Sequence, residues 1–126
     1  MLGSADLIAF VPTRDTAKAR QFYEGTLGLE FISADSFALV FNAHGTTLRV
    51  ADVSQAKGFR PAPFTIVGWQ VTNVGDTVGD LVRKGVGFER FPGMDQDAQG
   101  VWQSPSGAKV AWFKDPDGNI LSITQP

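Results

Sequence analysis

Residues 22–31 read Phe22-Tyr23-Glu24-Gly25-Thr26-Leu27-Gly28-Leu29-Glu30-Phe31 (FYEGTLGLEF), the end of a helix, a glycine, and the start of a strand that carries a phenylalanine. Upstream, Ala19, Phe22, Tyr23 and Leu27 recur at i, i+3, i+4 and i+8, which lays one apolar stripe along a helix. Asp15 or Thr16 supplies its N-cap, and Gly25 or Gly28 its stop. The same grammar returns at Lys84-Gly85-Val86-Gly87-Phe88. There the preceding helix has Val74, Val78, Leu81 and Val82 on one face, and Asn73-Val74-Gly75-Asp76 resembles a capping box at its start. A helix, a glycine and a strand with an inward Phe therefore occur twice, which points to a duplicated unit.

Working outward, Leu7–Pro12 (LIAFVP) is a short apolar run before the first helix. Leu7, Ala9 and Val11 fall on one side, and Ile8 and Phe10 on the other. Three strand-like runs follow the helix, Leu29–Ser33, Phe37–Asn42 and Thr46–Val53, the last two joined by a tight Ala43-His44-Gly45 connection of hairpin type. Residues Ser54–Pro63 (SQAKGFRPAP) have two prolines, a glycine and no periodicity, and read as a linker. The pattern then restarts with Phe64–Val71 and the second helix. Strands are expected at Gly87–Phe91, Val101–Gln103, Lys109–Lys114 and Asn119–Thr124, with turns at Ser104–Gly107 and Asp115–Gly118. The expectation is a single α+β domain over 1–126, made of two βαβββ modules at about 5–53 and 64–124 joined by linker 54–63. Curved mixed sheets, each with a helix on one face, would leave their other faces around a cavity.

Composition narrows the function. With 43% hydrophobic and 19% charged residues, the 126-residue chain has the balance of a globular domain that folds by itself. A formal net charge of −2 leaves no cationic surplus for nucleic acid or anionic lipid. The absence of cysteine removes disulfides, thiol nucleophiles and thiolate metal sites. The opening MLGSADLIAF has neither the charged nor the long apolar region of a secretion signal, so a cytoplasmic location is expected. A single histidine, His44, cannot build a His-rich zinc, copper or facial-triad iron site within one chain.

Three motif readings fail on their chemistry. Gly85-Val86-Gly87-Phe88-Glu89-Arg90 begins like a dinucleotide fingerprint, but it runs from helix to strand, the reverse of what pyrophosphate needs. Asp115-Pro116-Asp117-Gly118-Asn119 begins like a calcium loop, yet its glycine falls two places early, and a type I turn is the better reading. Ser104, Ser106 and Ser122 have no histidine near them in sequence to form a triad.

Three features remain. Arg49 lies mid-strand between Leu48 and Val50, so it points away from the helix-covered side, where a guanidinium suits a carboxylate or other anion. Pairing with Asp52 or Asp97 would instead make it structural. Asp95 and Asp97 in the loop Pro92–Asp97 serve as acid or base only if desolvated. Aromatic residues make up 11% of the chain, with three Trp and ten Phe. Phe22, Phe31 and Phe88 read as core, whereas Phe10, Phe37 and Trp102 are candidates for the wall of an apolar pocket.

The repeated order, the segment FYEGTLGL (Phe22–Leu29) and the closing WFKDPDGN (Trp112–Asn119) together resemble the vicinal oxygen chelate superfamily. That group includes glyoxalase I, extradiol dioxygenases, fosfomycin-resistance enzymes and bleomycin-binding proteins. The resemblance spans nearly the whole chain and implies the two-module fold. It also implies a ligand set: metal-dependent members carry His, Gln or Glu on the first and last strands of each half. The matching positions here are Ile8 and Arg49 in the first half and Ile66 and Ser122 in the second. Two isoleucines, an arginine and a lone serine make no metal site. The neighbours Leu7, Ala9, Leu48, Val50, Thr65, Val67, Leu121 and Ile123 do no better. The expectation is therefore a member with no metal and no cofactor that binds a small anionic or aromatic molecule, as resistance, sequestering or metabolite-binding proteins do.

Arg49 would stand where a metal stands in relatives, with Ile8, Ile66, Phe10, Ser122, Phe37 and Trp102 around the ligand. The resemblance implies a homodimer, and neither nucleic acid nor membrane is expected as a partner. A glyoxalase-like lyase or isomerase, or a dioxygenase-related enzyme, is the alternative. If metal-independent, it would use Asp95 or Asp97 as base and Arg49 to stabilise an enolate. A protein-interaction module with a filled cavity is the third reading.

Overall fold

A short 3-10 turn (Leu2–Ser4) and then strand β1 (Ile8–Thr13) open the first of two units, Met1–Arg60 and Pro61–Pro126, in a computed structural model that describes all 126 residues. Asp15 caps helix α1 (Thr16–Arg20) by accepting a hydrogen bond from the Lys18 amide at 3.1 Å. The helix then widens into a π-helical turn over Gln21–Thr26, where Gly25 and Thr26 are weak helix formers. Strands β2 (Glu30–Ala34), β3 (Ala38–Ala43) and β4 (Thr46–Asp52) complete an open sheet of order β1-β4-β3-β2. Its β1–β4 pair is parallel and the others antiparallel. Two residues, His44 (φ 50°) and Gly45 (φ 93°), join β3 to β4, the positive-φ geometry that a twisted hairpin favours.

Alternation gives this sheet two unlike faces. Val11, Leu39, Phe41, Leu48 and Val50 are buried together with Ala19 and Tyr23 of the helical segment. Phe41 packs against the rings of Tyr23 and Phe31 at 6.0 and 5.7 Å. The opposite face carries Ile8, Phe10, Val40 and Arg49, with Phe10 60% exposed. The sequence reading places β1 and β3 one residue early, at Leu7 and Phe37. Phe37 sits instead in the β2–β3 turn, its amide donating to Asp35 Oδ1 at 2.7 Å.

The second unit repeats the plan. Strand β5 (Thr65–Gln70) leads to helix α2 (Val74–Arg83), followed by β6 (Trp102–Gln103), β7 (Lys109–Lys114) and β8 (Ile120–Gln125) in the order β5-β8-β7-β6. Val74, Val78 and Leu81 of α2 are buried with Ala111, Phe113, Leu121 and Ile123, while Val82, expected on the apolar stripe, is 53% exposed. The expected strand Gly87–Phe91 is reduced to one bridge between Phe88 and Phe113. A glutamine side chain takes the place of a strand partner. Gln96 donates to the carbonyls of Glu89 and Gly100 at 2.9 and 2.8 Å and accepts from the Phe91 amide at 2.8 Å, so these backbone groups are satisfied without a ladder. The Asp115–Asn119 segment forms the expected turn, closed by Gly118 N–H to Asp115 C=O at 3.0 Å. Asp115 Oδ1 accepts the amides of Asp117 and Asn119. No helix is long and apolar enough to cross a membrane.

Asn73 ends the extended chain before α2, and its Oδ1 accepts the Asp76 amide at 3.0 Å. Asn73→Ala leaves that amide without its cap and is expected to cost about 1 kcal/mol, read as a lower urea midpoint at unchanged slope. An unchanged midpoint would mean that solvent replaces the cap at no cost.

Candidate functional site

In the second unit, the sheet face away from α2 follows from strand parity. Leu121 and Ile123 point to the helix, so Ser122 points away, and its ladder partners Gly68 and Trp112 lie on the same side. Trp112, Trp102 and Phe91 form a continuous aromatic row. The Trp102 and Trp112 rings lie 6.2 Å apart, and Phe91 meets Trp112 edge-on at 5.5 Å and 86°. Thr65 fixes the Trp112 indole by accepting its N–H at 3.1 Å. The one charged side chain projecting from the strands of this face, Lys114, is paired with Glu89 at 3.5 Å. The result is a half-buried, electrically balanced aromatic shelf with hydroxyl groups at its edge.

Ser122 is 8% exposed, and its hydroxyl has no hydrogen-bond partner in the protein. Gly68 makes its position possible, because a Cβ at residue 68 would stand 2.5 Å from Ser122 Oγ. Ile66 falls at a β-bulge between Thr65 and Val67 and has no partner in β8.

In the first unit, Arg49 pairs in register with Phe10 on one side and Val40 on the other, and Ile8 lies one pleat along β1. Arg49 is half-buried and makes no hydrogen bond or ion pair. Its charge reaches Asp35, whose carboxyl is held below the usual value first by the amides of Phe37 and Ala38 and then by Arg49. Phe37 lies in the same turn, 74% exposed. Sheet 1 thus brings together Arg49, Phe10 and Ile8, and sheet 2 brings Ser122 and Trp102 onto one face.

Asp95 and Asp97 lie elsewhere. Both line a polar cleft of about 450 Å³ at the start of α2, with Asn73, Gln103, Lys109 and Gln125, on the helix side of the second sheet. Asp97 Oδ1 is engaged by the amides of Gln99 and Val101 at 2.8 and 2.9 Å, which makes it a loop-closing carboxylate. Asp95 is exposed, so neither carboxylate has the desolvated surroundings of a general base. The four strand positions Ile8, Arg49, Ile66 and Ser122 do not fit a metal ion: hydrocarbon and guanidinium cannot ligate, and one hydroxyl is insufficient. Nowhere in the chain do three His, Cys, Asp or Glu side chains gather.

Trp112, Phe91, Thr65 and Gly68 are absent from the sequence-based site. The signal for Trp112 was present as alternation, since Val110, Trp112 and Lys114 oppose Ala111 and Phe113 along one strand. Phe91 belongs to a loop and carries no periodicity.

A sequence profile described as the Glyoxalase/Bleomycin resistance protein/Dioxygenase superfamily matches residues 5–123. None of the curated proteins matches the sequence. Among solved structures, a member of that superfamily from Sphaerobacter thermophilus DSM 20745 superposes with a TM-score of 0.76 at 20% identity, covering 100% of both chains. An antibiotic binding protein from Streptomyces sp. CB03234 gives 0.75 at 24% identity, covering 100% of this chain and 98% of that one. Lactoylglutathione lyase from Agrobacterium tumefaciens gives 0.75 at 16% identity, covering 97% and 93%. At these identities the likeness is one of fold.

Proposed function

The chain belongs to the Glyoxalase/Bleomycin resistance protein/Dioxygenase superfamily, and within it we propose that this protein is a metal-independent binder of small planar aromatic molecules. The single observation that carries this reading is the Phe91–Trp112–Trp102 row on a sheet face that no helix covers. Aromatic rings whose faces remain open gain by offset stacking and by burying apolar area. The fold is shared by binding proteins and enzymes, so function rests on the site. No pair of groups here is set up for proton transfer, and stacking needs neither a base nor a metal. Native mass spectrometry with metal analysis tests the reading. A chain that carries an aromatic molecule, or takes one up on titration, without stoichiometric metal supports it. One divalent ion per chain would contradict it.

A second reading is favoured by Arg49, a half-buried guanidinium without a hydrogen-bond partner, flanked by Phe10 and Val40. It serves as an anchor for a carboxylate on an apolar body. In titrations with benzoate followed by amide NMR, Arg49→Ala is expected to lose at least about tenfold in affinity, the order of a charge-assisted hydrogen bond. Equal binding by both proteins would remove the anchor.

Ile32 and Phe37, exposed on β2 and the β2–β3 turn of the first unit, leave apolar surface that a homodimer would cover. Sedimentation at rising concentration distinguishes dimer from monomer.

A further inference from the structure

We propose that Gly68 and Ser122 form a notch that selects, among aromatic molecules lying on the Trp112 shelf, neutral ones bearing a carbonyl oxygen at the ring edge. This rests on the shelf reading and adds the chemical class of the ligand. Ser122 is more than nine-tenths buried and its hydroxyl has no protein partner, yet no buried side-chain polar atom is sealed off without one. The hydroxyl is therefore poorly hydrated but reachable from the open face. A hydroxyl in that state gains more from a ligand partner than a fully solvated one, because less hydration is given up.

Gly68 is what leaves room for it. A side chain at that position would begin 2.5 Å from Ser122 Oγ, inside contact distance, so the hydroxyl would have to swing out of place. Beside the ring, Thr65 accepts the Trp112 indole N–H, which leaves its own proton free to donate. Two hydroxyl donors thus flank Trp112, and a carbonyl is the group that takes such protons without needing to donate in return. Charge argues in the same direction. Lys114 is paired with Glu89, so the strands of this face offer a carboxylate no unpaired cation and an ammonium no unpaired anion.

The test uses two near-isosteric probes, 2-acetylnaphthalene and 2-isopropenylnaphthalene, which differ by an oxygen in place of a methylene. Calorimetric titration of the whole protein is expected to show the ketone bound roughly tenfold more tightly, the size of one such hydrogen bond. Ser122→Ala is expected to erase the preference while keeping the hydrocarbon's affinity. Gly68→Ala is expected to erase it too, with circular dichroism confirming the fold, and Ser122→Ala alone decides if that variant does not fold. A preference that survives Ser122→Ala, or a wild-type protein that binds both probes equally, overturns the notch and leaves the shelf standing. If neither probe binds, the shelf fails and the notch with it.

Discussion

Phe41→Ala lowers the unfolding free energy by about 3–5 kcal/mol, whereas Phe10→Ala, two strands away in the same sheet, stays within about 0.5 kcal/mol. The contrast follows from the two faces of the first sheet. Phe41 is fully buried and touches the rings of Tyr23 and Phe31, so truncation removes apolar burial, two ring contacts and leaves a cavity. Phe10 is 60% exposed, and its removal empties no packed space. A loss of this size is a large share of the roughly 5–15 kcal/mol that holds a domain together, so the Phe41 variant should melt well below wild type. Equilibrium urea unfolding of the two variants checks it. Similar losses at both positions would mean that Phe10 is covered in solution and that the face of Arg49 is not open.

Trp112→Ala removes the centre of the aromatic row and is expected to weaken binding of 2-acetylnaphthalene by at least about 30-fold, near 2 kcal/mol, the scale of a central aromatic anchor. The residue acts twice. Its ring offers stacking surface, and its contacts with Trp102 and Phe91 hold those rings in one row. Trp112→Phe keeps a ring but gives up the indole N–H bond to Thr65, so it should recover part of the affinity. Trp69→Phe is the control, because Trp69 shares the row of Ile123 and Ala111 on the helix side. Calorimetry is the appropriate readout, since the substitutions change the intrinsic fluorescence itself. Equal losses for Trp112→Ala and Trp69→Phe would show a general loosening of the second unit and no shelf.

Much of the architecture is legible in the residues. The glycine-punctuated repeat, the caps at Asp15 and Asn73 and the His44-Gly45 hairpin all depend on local backbone chemistry, which a sequence carries in full. Strand ends shift by a residue because nothing local marks where a ladder closes. The Gly87–Phe91 segment was not legible as a loop, because the Gln96 side chain that satisfies it comes from beyond a Pro-Gly turn.

For the site, Arg49 could be placed by parity with Leu48 and Val50, and the structure puts it beside Phe10. The shelf could be read only in part. Trp102 was singled out for its residue type, but the meeting of Trp112, Thr65 and Phe91 depends on tertiary packing that sequence spacing does not encode. Gly68 illustrates the point. As a lone glycine inside an apolar run it says little, and its meaning appears only where it leaves space for the Ser122 hydroxyl.

Binding of planar aromatic molecules on the helix-free face of the second sheet can be read at the tryptophans themselves. The three tryptophans offer three indole N–H signals, two from the shelf and one from the helix side. In a ¹⁵N-labelled titration with 2-acetylnaphthalene, the Trp102 and Trp112 indole signals should move together and saturate, while the Trp69 signal stays in place. Movement of Trp69 alone, or no movement of any indole at millimolar probe, would contradict binding at the shelf.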